Sequence, residues 1–229
     1  MSPPERPNRI LAGIKVLDTP LIQKALSYAR ENLSDVAYNH IGRSWLLGQY
    51  IADNTPSLAS RDEELQSIAS ILHDLGWSHN TSLISSDKRF EVDSANAAVE
   101  FVKREGVKEE WDERRLQLLW DAVALHTTAS IAIHKEKEVK AVCVGIWAEF
   151  TPVEKAYGGV LTESVWNEIV TEFPRDGFKE GVKEILCTLC RTKPETTYDN
   201  FVGDVGDRYV EGYSLEGKKF PDRLAAVVN

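Results

Sequence analysis

An all-α fold is the class that this 229-residue sequence predicts, and three observations predict it. Apolar residues recur at steps of three and four along most of the chain, the spacing that lines one face of a helix. No run of alternating apolar and polar residues is strong enough to mark a strand. Helix-start residues, Ser34, Asp35 and the tetrad Ser60-Arg61-Asp62-Glu63, stand directly ahead of periodic stretches. The 42% apolar content and six tryptophans suffice to pack one domain, read as a helical bundle.

The elements follow in order. Residues 1–20 open with MSPPERPNRI, have no apolar signal core, and read as a flexible lead-in. A first helix is predicted over 21–31. A second covers 36–53, capped by Ser34 or Asp35, with Ile41, Trp45, Gly48 and Ala52 along one face. The third opens at the 60–63 tetrad and ends near Gly76, burying Leu65, Ile68, Leu72 and Leu75. After a polar loop at 79–89, a fourth helix fits 94–105. A fifth fits 113–126, with Leu116, Leu119, Trp120 and Val123 as its apolar stripe. The sixth, 138–150, stops before Pro152, and two more are predicted at 163–172 and 178–191. Residues 21–193 are read as the domain, with 36–150 carrying the candidate site. The Gly-, Asp- and Tyr-rich stretch 194–229 reads as an irregular tail packed on the same domain.

Charge and composition exclude several function classes. Net charge is −9 with lysines and arginines scattered, so no basic patch for phosphate backbones is visible and nucleic acid is not an expected partner. Mean hydropathy is −0.31 and no apolar run approaches the roughly 20 residues that span a bilayer. A cytoplasmic protein acting on a small molecule is expected. Cys143, Cys187 and Cys190 form no even disulfide framework, and the CxxC of the last two lacks the second pair a structural zinc needs. They read as reduced core thiols. Aromatics among Trp111, Trp147 and Trp166 serve either a homodimer surface or the core.

The chemistry is concentrated in the run SIASILHDLGW, where His73 and Asp74 stand side by side in an apolar helix. An unpaired buried charge costs several kcal/mol, and a metal ion takes an imidazole nitrogen and a carboxylate oxygen together. His40 lies at the edge of an apolar helix face. Val139, Val142, Ile146 and Glu149 fall at steps of three, four and three, which turns Glu149 toward the core. His126 continues the buried stripe of Leu119 and Val123; it is the candidate for proton transfer, because imidazole titrates near neutral pH, or else it supports the ligands from behind. Trp77 follows the His-Asp pair as a pocket wall; Thr127 is a candidate for orienting substrate, and Glu91 and Asp93 either orient substrate or metal-bound water or form a helix N-cap with a surface salt bridge. His79 and His134, flanked by polar residues, read as surface. Arg43 either pairs with an inner carboxylate or snorkels outward.

His40, the His73-Asp74 pair and an acidic residue on a later helix resemble the H…HD…D signature of the HD-domain superfamily of metal-dependent phosphohydrolases and related enzymes. Within it the chain is most similar to the fungal-type cyanamide hydratases. The resemblance rests on NHIGRSWLLG, ILHDLGW, DKRFEVDSANAA, ALHTT with IAIHKEKEV, and VGIWAEF, covering about residues 38–150, together with RTKPETTYDNF. It implies an HD-domain bundle with one divalent metal, Zn2+ or Fe2+, held by His40, His73, Asp74 and Glu149. It also implies a hydro-lyase that adds water to a small nitrile-like substrate, cyanamide to urea, through a metal-bound hydroxide; Asp74 and, from its own position, His126 are the candidate catalytic residues. The family's last ligand is Asp, whereas this chain carries Glu149, which displaces the carboxylate by about one bond. Binuclear relatives place histidines where this chain reads RFEVDSANAA, so a single metal is expected. The alternatives are an HD-type phosphohydrolase, or a degenerate scaffold that binds a ligand or partner without catalysis.

Overall fold

The computed structural model describes residues 7–227. It is all-α apart from one small hairpin. In chain order the elements are β1 (Asn8–Leu11), β2 (Ile14–Leu17), α1 (Pro20–Asn32), α2 (Asp35–Asp53), α3 (Glu63–Leu72), α4 (Phe90–Glu105), α5 (Glu113–Ala124) and α6 (Ala129–Ala132). Then follow α7 (Lys137–Ala148), α8 (Glu163–Glu172), α9 (Phe178–Thr192), α10 (Phe201–Tyr209) and α11 (Phe220–Ala225).

Ser34 and Asp62, from the predicted start signals, and Asp112 and Thr162, which the structure adds, each accept a hydrogen bond from a backbone N–H in the first turn of α2, α3, α5 and α8. For α3 the cap is Asp62 rather than Ser60, so the tetrad is not used as a capping box.

Helices α2 and α7 form the centre of the bundle. A Cβ at Gly145 would lie 2.5 Å from the Gly48 Cα and 2.6 Å from the Ser44 carbonyl oxygen, so the two backbones touch at that level. Gly48 also faces the Ala141 carbonyl, while His40 meets Glu149, so the helices run antiparallel. Side-chain size at 48 and 145 therefore sets how closely α2 approaches α7. Helices α3 and α5 pack against this pair, and Trp45, Leu46, Ile68, Leu72, Leu119 and Val142 fill the space between them.

The lead-in expectation needs correction over residues 8–17; residues 1–6 lie outside the described residues. Strands β1 and β2 pair antiparallel, with Asn8 opposite Leu17 and Leu11 opposite Ile14. Ala12 (φ 47°) and Gly13 (φ 72°) both take positive φ, as a two-residue hairpin turn demands. Ile14, Val16 and Leu17 are buried in the main core, so tertiary packing holds a pair of four-residue strands that local pattern does not announce.

The irregular-tail expectation also fails over α10 and α11. Asn200 caps α10, and Gly206 lies so close to α9 that a Cβ there would sit 2.6 Å from the Cys190 Sγ. Cys187 and Cys190 are buried free thiols, and the Cys190 thiol donates to the Val202 carbonyl at 3.3 Å. The 187–190 pair thus belongs to the α9–α10 contact.

Candidate metal centre

Three imidazoles and one carboxylate converge where α2, the end of α3 and the end of α5 meet. His40 lies on α2, His73 caps the C-terminus of α3, Asp74 follows it, and His126 lies two residues beyond α5. All four are 2% exposed or less. The His40 Nε2 is 3.3 Å from the His73 Nε2, and the Asp74 Oδ2 lies 3.1 Å from the His73 Nε2 and 3.3 Å from that of His40. The other Asp74 oxygen is 3.6 Å from the His126 Nε2.

Hydrogen bonds on the far side of each ring decide which nitrogen carries the proton. His73 Nδ1–H donates to the Ser70 carbonyl at 2.8 Å and His126 Nδ1–H to the Val123 carbonyl at 2.6 Å. A carbonyl oxygen only accepts, so in the neutral rings the Nε2 atoms bear lone pairs. His40 Nδ1–H donates to the Glu149 carboxylate at 2.6 Å, which turns a third Nε2 lone pair inward. These lone pairs face Asp74, neither of whose buried oxygens receives a hydrogen bond. Four electron-rich groups converge with nothing positive among them, an arrangement that costs several kcal/mol unless a cation is taken up.

The donor set fits a divalent metal. His40, His73 and Asp74 each offer one ligand atom, and these atoms lie within 4.8 Å of one another. An ion with nitrogen and oxygen ligands at about 2.0–2.2 Å needs neighbouring ligands roughly 2.9–3.5 Å apart, and the spacings of 3.1–3.3 Å meet that. A proton competes for the same place. Burial opposes charge on both His73 and Asp74, yet their mutual attraction wins, raising the pKa of His73 and lowering that of Asp74. His126 differs: burial and the nearby His73 push its pKa down to about 4, so it is a neutral base at neutral pH. The reason for expecting proton transfer there, titration near neutrality, is corrected accordingly.

Glu149 is not in the ligand group. Its Oε2 meets the Nδ1 of His40, on the side of the ring away from the convergence point, and its Oε1 accepts from Arg43 Nε at 2.5 Å. Burial raises the carboxyl pKa, but His40 and Arg43 together hold it below the usual carboxylate range. In place of the expected fourth ligand position, Glu149 thus stands behind His40 and beside Arg43. A carboxylate beside a fully buried guanidinium is drawn to it, and it orients His40 from behind, as the outer partner of a metal-binding histidine does. Arg43 also donates to the Phe173 and Pro174 carbonyls at 2.9 and 2.6 Å, fastening the α8–α9 connection to this corner. Of the two readings of Arg43, pairing with an inner carboxylate is the one observed.

The remaining candidates divide. Trp77 and Thr127 line a cavity of about 300 Å³ that opens over His40, Asp74 and His126. Trp77 stacks on the His40 ring, with centroids 5.8 Å apart. Glu91 lies behind the wall, accepting from Thr127 Oγ1 at 2.7 Å and pairing with Arg89 at 2.6 Å, so it positions Thr127 rather than meeting the cavity. Asp93 is elsewhere: its carboxylate pairs with buried Lys193 at 2.7 Å and accepts from the Ser85 hydroxyl at 2.7 Å. Its assignment to substrate binding is corrected, because this ion pair pins the 78–89 loop to the end of α9.

The apolar walls escaped the sequence reading. Phe90 begins α4, Ile146 and Trp147 lie on α7 with Phe150 just beyond, and α9 and α10 add Leu186 and Phe201. Of these only Ile146 stood on a predicted buried stripe; Phe90 preceded the predicted fourth helix, Phe201 fell in the stretch read as an irregular tail, and periodicity carried no sign of a cavity. Trp111, by contrast, is buried under the Arg115 guanidinium, while Trp147 stands 43% exposed at the cavity mouth. No helix among the described residues is long and apolar enough to cross a membrane. No protein-family model matches the chain, and no curated protein matches it.

Proposed function

We propose that this protein is an HD-domain metalloenzyme of the cyanamide-hydratase type, adding water across the C≡N bond of a small molecule. One observation carries the reading: three imidazole lone pairs and an unpartnered buried carboxylate meet beneath a largely apolar cavity. His40, His73 and Asp74 would hold one divalent ion, zinc or ferrous iron. Such an ion lowers the pKa of a bound water toward neutrality, which makes a nucleophile available at physiological pH.

The chain's own residues supply the rest. The Nε2 of His126, neutral at working pH, takes the proton that water loses as its oxygen bonds to the nitrile carbon. One C–N π bond breaks, the same proton passes to the nitrogen, and the imidic acid so formed becomes the amide as its O–H proton moves to nitrogen. Trp77 and Phe90 exclude bulk water from the reacting carbon, and the Thr127 hydroxyl, held by Glu91, sets polarity on one side. The cavity lining includes no Lys or Arg to neutralise a phosphate, which favours this reading over phosphohydrolysis.

The test is metal content by elemental mass spectrometry on untagged protein, followed by urea formation from cyanamide. About one zinc or iron per chain, lost in His73→Ala, is expected, with turnover that falls in His126→Ala while metal is retained. Protein that takes up no metal on reconstitution would instead be a non-catalytic binding scaffold.

A further inference from the structure

The cavity over the metal centre is too large and too apolar for a bare nitrile. At about 300 Å³ it reaches the lower end of the range for drug-sized ligands, whereas a three-heavy-atom substrate fills on the order of 90 Å³, reckoned from roughly 30 Å³ per heavy atom as in water. Its polar groups, His40, Asp74, His126 and Thr127, leave the rest of the lining to aromatic and aliphatic side chains on four helices and a turn. Trp147, Phe150 and Phe201, exposed by 43%, 51% and 39%, stand together at this cavity. Three large apolar side chains left in solvent around one opening mark a surface that receives an apolar group. The Trp147 indole N–H is already donated to the His126 carbonyl at 3.2 Å, so this ring offers its face rather than a polar handle.

We infer that the substrate is a C≡N compound bearing a ring-sized apolar substituent, with the cyano group directed at His40, Asp74 and His126 and the substituent held between Phe90, Leu186 and Phe201. This rests on the C≡N-hydrating reading for the reacting group, but the apolar half of the inference stands on the cavity alone. The reaction balances without a co-reactant: water adds across C≡N, an amide or substituted urea results, and nothing is oxidised or reduced.

The test compares cyanamide with benzylcyanamide, which keeps the reacting group and adds the ring, on the metal-loaded full chain. Binding of benzylurea, the product, is measured separately by tryptophan fluorescence. The expected result is a kcat/KM at least about tenfold higher for benzylcyanamide, in line with what a well-packed apolar group contributes to discrimination. Val182→Trp, which fills the cavity from α9, should collapse that ratio and weaken benzylurea binding, and circular dichroism would confirm that it folds. Turnover of cyanamide with equal or lower efficiency for benzylcyanamide, and no benzylurea binding, would overturn the inference while leaving the hydration reading intact. Benzylurea binding that Val182→Trp abolishes, without turnover of either compound, would sink the hydration reading and uphold the apolar site. Neither turnover nor binding would overturn the inference as well.

Discussion

Replacing Glu149 by Gln separates an orienting carboxylate from a metal ligand. Glu149 accepts from His40 Nδ1 at 2.6 Å and Arg43 Nε at 2.5 Å, and Arg175 adds a longer contact at 3.5 Å. The guanidinium of Arg43 is fully buried, and removing its counter-charge leaves a cation inside the bundle. Removing one partner of a buried pair costs about 3–5 kcal/mol, and the amide keeps one acceptor, so the low end, about 3 kcal/mol, is expected. For a chain of 229 residues that lowers Tm by roughly 6–12 °C. The amide also permits the wrong His40 tautomer, with the proton on Nε2, so metal affinity should fall about 10–100-fold yet remain saturable. Urea unfolding in chelator and competition with a chromophoric chelator read the two effects separately. A cycle of Arg43→Met, Glu149→Gln and the double variant should show coupling of at least about 1 kcal/mol. Stability within about 0.5 kcal/mol of the parent, together with unchanged metal affinity, would refute this account. Complete loss of metal at unchanged stability would instead make Glu149 a direct ligand.

Three further outcomes are expected. The pKa of His126 is lowered in the folded state to about 4, so its contribution is fully present above pH 6.5 and is lost as pH falls through 4. Unfolding in chelator should reveal about 3 kcal/mol of lost stability across that window, and His126→Asn should flatten the profile there. Gly145→Ala inserts a methyl 2.5 Å from the Gly48 Cα, against backbone that cannot step aside, and should destabilise by about 1–3 kcal/mol while weakening metal binding. Asp93→Asn breaks the buried pair with Lys193 at a place remote from the centre. It should cost about 3 kcal/mol in denaturant unfolding and leave the metal Kd unchanged, and a shift in that Kd would return Asp93 to the site.

The amino-acid sequence by itself determined the longer helices before residue 194 and the residues that could carry chemistry. Cap residues such as Ser34 and Asp62 act on N–H groups three positions away, and a 3.6-residue period is visible in any stretch long enough to show it. The same logic placed His73 and Asp74 in an apolar run and turned His126 and Glu149 inward. Short-range physics goes no further. The hairpin at 8–17 has strands of four residues, stable only because Ile14, Val16 and Leu17 have a core to enter. Helix α10 likewise owes its place to the fit of Gly206 against Cys190. Periodicity states that Glu149 points inward, but whether its carboxylate binds an ion or a neighbour depends on Arg43 and His40, more than a hundred positions earlier. Asp93 was claimed in the same way by Lys193. A buried charge takes the best partner within a few ångströms, and tertiary packing alone decides which residues stand that close.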